Sequence, residues 1–110
     1  MIRIYVDDLR PTPDGFDASF KTVNDTVKYI RRKYKEGNTH FYLDLDHDAS
    51  NDYTPEGGDY INILKQLESL RYGGHLKNAH ITSHFHSGNV VGIENMRAIV
   101  NSNSMWMDEI

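Results

Sequence analysis

Apolar and polar positions along this chain follow two periods, and the changes between them mark the elements. Ile2 to Val6 is a short β-branched and aromatic run, the composition of a strand. Ala18 to Val23 is a weaker second strand. Val23, Val27, Ile30 and Tyr34 then recur at helical spacing. Thr22 stands where an N-cap belongs, Asp25 is the acid three residues on, and Gly37 stops the helix. His40 to Asp46 is a third strand. Ile61, Leu64, Leu67 and Leu70 form the stripe of a second helix, expected to be capped by Asp59, to run to about Arg71, and to end at Tyr72-Gly73-Gly74. Asn78 to Phe85 is a fourth strand. Gly92 to Val100 is a last helix with Ile93, Met96, Ile99 and Val100 inward. The tail after Asn101 is polar apart from Met105-Trp106-Met107 and Ile110, with Trp106 expected as an anchor onto the core.

The order β-β-α-β-α-β-α predicts an α/β domain with a parallel sheet, covered on both faces and joined by right-handed crossovers. Leu9 to Gly15, with two prolines and a glycine, predicts a loop in place of a first helix. Such a loop is barely long enough for a parallel crossover, so the pairing of the second strand stays open.

Composition narrows the function classes. A chain of 110 residues predicts one domain, Met1–Ile110, with one core. The formal charge is −4, from 16 acids against 12 Lys plus Arg, so duplex DNA is not an expected partner. There is no cysteine, which excludes disulfides and thiol chemistry. Asp7 ends the first apolar run too early for a signal peptide, and no run is long enough to span a membrane. The expected location is cytoplasmic, with no membrane partner.

The chemistry gathers at three strand tips. Asp7-Asp8 with Arg10 follows the first strand, Asp46-His47-Asp48 the third, and His86-Ser87-Gly88-Asn89 the fourth. In open α/β sheets, ligands bind outside the carboxyl ends of the strands. In a parallel sheet these tips share one edge. The acids Asp7, Asp8 and Asp48 could hold a divalent cation (Mg, Mn or Zn); no organic cofactor is expected. Arg10 could bind phosphate oxygens two at a time. His47 and His86, with Asp46, could supply acid–base chemistry. Ser87, Asn89 and the start of the last helix could hold phosphate oxygens.

Simpler readings stand beside these. An Asp pair after a strand also serves as a turn or cap. His40, His75 and His80 read as surface or strand histidines, and His84, in phase with His86, could enter the site or pack beside it. The basic residues of the first helix read as a solvated face. It is the coincidence of three tips that favours a site.

The same residues resemble a known family. Asp7-Asp8-Leu9-Arg10-Pro11 with Gly15, then Leu45-Asp46-His47-Asp48 with Gly57-Gly58-Asp59-Tyr60, then His86-Ser87-Gly88-Asn89-Val90-Val91-Gly92 with Met96, are similar to the three signatures of the cyclic-phosphate-processing receiver domains. The resemblance runs from about residue 2 to 101 and leaves the tail outside. It implies a three-layer receiver-like (flavodoxin-like) fold with a short, mainly parallel four-stranded sheet and the first helix replaced by a loop. It also implies phosphoesterase-type processing of a cyclic nucleotide or an RNA 2′,3′-cyclic phosphate end. The residues carried over are Asp7, Asp8, Arg10, Asp46, His47, Asp48, His86, Ser87 and Asn89. The chain departs from the family at Ala49-Ser50, where Leu-Gly is usual, and at Val90, where proline is frequent. Two alternatives remain: a signalling receiver with an Asp phosphoacceptor, and a non-catalytic binder of a cyclic nucleotide or a host protein. The first lacks the expected lysine, since none follows Lys77.

Overall fold

The computed structural model describes residues 1–110. Its elements are β1 (Ile2–Val6), β2 (Ala18–Phe20), α1 (Val23–Lys35), β3 (His40–Leu45), a 3-10 turn (Thr54–Glu56), α2 (Ile61–Tyr72), β4 (His80–Phe85), α3 (Val90–Ser102) and β5 (Met107–Glu109). All pairings are parallel, in one sheet of order β2-β1-β3-β4-β5. The α/β receiver-like fold is thus as expected, with the loop in place of a first helix.

Two expectations are corrected, and the pairing left open is settled. The sheet has five strands, not four: Met107 pairs with Ile81 and is buried in the core, which makes the tail an edge strand. The short loop does make a parallel crossover, with Ile4 opposite Ala18 and Val6 opposite Phe20. It succeeds because it packs on the sheet: Asp17 N donates to Arg3 O at 2.8 Å, and Arg3 N donates to Asp17 Oδ2 at 2.8 Å.

The second correction concerns cover: helices were expected on both faces, in three layers, and they lie on one. From β2 to β3, β3 to β4 and β4 to β5 the chain always steps toward the same edge. Right-handed crossovers in one direction put all three helices on one face. A single apolar cluster accordingly joins Ile4, Val6, Phe41, Leu43, Leu45 and Ile81 to Val27 and Ile30 of α1, Ile63 and Leu64 of α2, and Met96 of α3. The β1–β2 connection steps the other way, so its loop lies on the opposite face in place of a second helical layer. There Phe16 packs 5.3 Å from Tyr5, and the Arg3 guanidinium lies 5.0 Å from the rings of both Phe16 and Tyr42. Alternation makes this face polar: Arg3, Tyr5, Tyr42, Asp44, Thr82 and His84.

Caps follow local chemistry. Thr22 Oγ1 accepts from Asp25 N at 3.2 Å and starts α1. Asn89 Oδ1 accepts from Gly92 N at 2.8 Å and starts α3. Asp59, expected to cap α2, instead accepts from Ala49 N at 2.9 Å; α2 begins after Tyr60 with no side-chain cap. The loop before α2 closes on α1 at Gly57, whose φ of 116° and approach to Val23 leave no space for a side chain. Trp106 is buried, with Arg71 4.8 Å over its ring.

Candidate active site

The sheet's hydrogen bonding continues one residue beyond the strands. Asp7 N donates to Phe20 O, Asp46 N to Val6 O at 3.0 Å, and His86 N to Leu45 O at 3.0 Å. Each tip is therefore fixed to its neighbour, and the three stand side by side along the carboxyl edge.

His86 is held on both ring nitrogens. In the charged form Nδ1–H donates to Asp44 Oδ1 at 2.5 Å and Nε2–H donates to Asp7 Oδ2 at 2.8 Å. The ring stacks flat on Tyr5, 4.9 Å between centroids. Burial pulls the His86 pKa down, but the carboxylates of Asp44 and Asp7 outweigh it, and the net shift is upward. Burial likewise pushes Asp7 up; the backbone N–H groups of Arg10 and Leu9, then His86, reverse this and leave its pKa lowered. Asp7 thus anchors the first tip: its Oδ1 accepts from Leu9 N at 2.8 Å and Arg10 N at 2.9 Å. The Arg10 guanidinium reaches Asp7 Oδ2 at 3.3 Å and Asp46 Oδ2 at 3.8 Å, and half its side chain stays exposed.

His47 is held on one nitrogen only. Nδ1–H donates to Asp48 Oδ1 at 2.7 Å, and the Asn89 amide donates to both Asp48 oxygens at 3.3 and 3.4 Å. The His47 bond is the main cause of a lowered Asp48 pKa. Nε2 has no protein partner and is not sealed from solvent. With the proton on Nδ1, Nε2 carries a free lone pair. The ring lies against the bare Cα of Gly92, where a Cβ would stand 2.5 Å from Cγ.

A cleft of about 340 Å³ takes Arg10 and Asp46 from the first group and Asp48 and Asn89 from the second, with Asp8 and Ser87 beside them; neither imidazole lines it. Ser87 Oγ accepts from Asn89 N at 3.0 Å, which leaves its O–H free to donate. Asp8 Oδ2 accepts from Ser50 N at 2.9 Å and ties the first tip to the loop after β3. Two sets could hold a metal ion by proximity: Asp7, Asp46 and His86, and separately His47, Asp48 and Asp59, each with ligand atoms within 4.8 Å. Asp7, Asp8 and Asp48, expected as one set, are distributed otherwise: Asp7 belongs to the first, Asp48 to the second and Asp8 to neither.

The expected residues therefore share one edge in two hydrogen-bonded groups around a cleft. Sequence reasoning missed Asp44 and Tyr5, which orient His86, and Asp59 beside His47. Asp44 lies opposite His84 in register, and His86 is in phase with His84, so only the β3–β4 pairing brings it to the site. His84 itself turns to the tail, where Nδ1 meets Ile110 O at 2.9 Å. No helix is long and apolar enough to cross a membrane.

Comparison with known proteins bears on these residues directly. The family model described as "Cyclic-phosphate processing Receiver domain" matches residues 2–102, which include all three tips. No curated protein and no solved structure matches this chain.

Proposed function

The chain belongs to the cyclic-phosphate-processing receiver domains, and from that premise we propose that it hydrolyses a cyclic phosphodiester in the cleft lined by Arg10, Asp46, Asp48 and Asn89, with His47 and His86 of the two adjoining groups as the proton carriers. The observation that supports this reading is the asymmetry of the two rings: one has a nitrogen with no protein partner, the other meets a carboxylate at each nitrogen, and those carboxylates favour its charged form. In this scheme Arg10, the Ser87 hydroxyl and the free N–H groups at the start of α3 take the non-bridging oxygens. His47 Nε2 takes a proton from water, which attacks phosphorus. The bond to one ring oxygen breaks, and that oxygen takes the proton from His86 Nε2–H, released from Asp7. The product is a phosphomonoester, and solvent returns the proton from His47 to His86.

A metal-assisted variant is favoured by one observation. Asp44 sits behind His86 Nδ1, as a carboxylate does behind a metal-bound imidazole. Asp7, Asp46 and His86 Nε2 would hold the ion, which when bound would supply Lewis acidity.

A panel of 2′,3′-cyclic and 3′,5′-cyclic nucleotides, with and without Mg²⁺ or Mn²⁺, tests the proposal. Turnover that survives chelation and follows a bell-shaped pH profile supports acid–base chemistry. Loss on chelation, restored by Mn²⁺ or Zn²⁺, selects the metal variant. Retention of every cyclic phosphate unchanged refutes hydrolysis.

A further inference from the structure

Resting on the hydrolytic reading, we propose that the substrate is a small cyclic nucleotide with a single charged phosphodiester, not the cyclic-phosphate end of an RNA chain. Its nucleoside would occupy a second, acid-lined cleft beside Arg10. That cleft has about 760 Å³, within the range of small-ligand sites, and it shares Asp8, Leu9 and Arg10 with the smaller one. Arg10 stands where the two meet. A phosphate on its guanidinium in the small cleft directs the rest of the ligand into the large one.

The walls of the large cleft decide what that rest can be. Tyr53 offers a ring, with Lys21 Nζ 5.7 Å from its centroid. Asp25, Asp52 and Glu56 are exposed there and make no salt bridge, so this part of the lining carries three free carboxylates against one lysine. A base and sugar fit such a place; a second phosphate is repelled. Single-stranded RNA sites need the opposite, a basic groove that tracks the backbone. Of the basic residues of α1, Lys33 and Lys35 cannot supply it, since in a βαβ unit the helix runs back from the carboxyl edge and they lie toward the far end of the sheet. Lys28 and Arg32 lie nearer, in a separate small pocket on the other side of Phe20 and Asp25, and neither lines the large cleft.

The test compares 2′,3′-cyclic mononucleotides with an oligoribonucleotide ending in a 2′,3′-cyclic phosphate. At low salt the mononucleotide should be preferred about tenfold or more in kcat/KM, and added salt should narrow the gap by raising the oligonucleotide rate. The double variant Asp52→Asn, Glu56→Gln should narrow it too. Tyr53→Ala should raise KM for the nucleotide but not for a cyclic glycerol phosphate, which has no base. An oligonucleotide turned over faster than the mononucleotide, and slowed by salt, overturns the inference while hydrolysis stands. If neither is turned over, hydrolysis itself fails, and equilibrium binding of the same two ligands decides the class. Equal or tighter binding of the oligonucleotide then refutes the inference.

Discussion

His86 and His47 both follow strand tips, yet one ring is gripped at both nitrogens and the other at one. The difference begins with which face each tip inherits. His86 continues the polar face of β4, so it meets Asp44 across the β3–β4 pair and Asp7 beyond it. His47 lies past the end of β3, where its Nδ1 bonds the neighbouring Asp48 with Asn89 and Asp59 close by, and the ring leans on Gly92. Two carboxylate partners favour the charged imidazole and let it hold the edge together; one partner leaves a ring nitrogen with no protein contact.

The largest effect that would break this contrast is on activity. His47→Ala should lower turnover about 10²–10⁴-fold, the usual contribution of a positioned proton-transfer group. The same variant should melt within a few degrees of wild type, since the ring makes one partly exposed bond. His86→Ala should do the converse to stability. It takes the cation from Asp44 and leaves Asp7 with the half-exposed Arg10 alone, at a cost of about 2–3 kcal/mol, below the figure for a fully buried pair because Asp44 retains some solvent and Asp7 keeps Arg10. Denaturant unfolding of both variants checks the pair; equal destabilisation would erase the distinction.

Titration sharpens it next. The raised pKa of His86 means that its stabilising contribution is complete below about pH 6.5 and is lost as pH rises through the folded-state value. The lowered pKa of Asp7 means that its contribution is present above about pH 3.9 and is lost as pH falls through the folded-state value. Asp44→Asn should bring the His86 midpoint down, read by its ring proton shifts in NMR, and should flatten the loss of stability on the alkaline side. The smallest change expected is from Gly92→Ala. The new methyl displaces the His47 ring and should cut turnover about tenfold. Better helix propensity offsets the strain, so stability should move by less than about 1 kcal/mol.

Much of this was legible in the residues, and what was not has physical reasons. β1, the start of β3, the Thr22 cap and the three polar tips follow from local pattern. β5 did not, because Met107-Asp108-Glu109 carries one apolar residue and becomes a strand only by docking on Ile81 and Ser83. Ile63 joins the α2 core although the stripe pointed to Ile61, since the helix meets neighbours on two sides. Asp59 looked like a cap because its place in sequence was right, but the loop after β3 reached it first. Asp44 was read as strand, and its role depends on a register between β3 and β4 that no single-strand pattern displays.

The one-directional winding of the crossovers has a consequence for how the molecule assembles. β3 lies on the free edge of β1, β4 on that of β3, and β5 on that of β4, so the topology lets each strand dock in the order of synthesis, with none inserted between strands already paired. In that order the carboxyl edge is built in two stages. With β3 docked, Asp7, Asp44 and Asp46 are in place, Arg10 reaches Asp7 and Asp46, and His86 is still absent. The arriving β4 then brings the imidazole that bonds Asp7 and Asp44. At that stage the same charges would act as a guide for the register of the incoming strand.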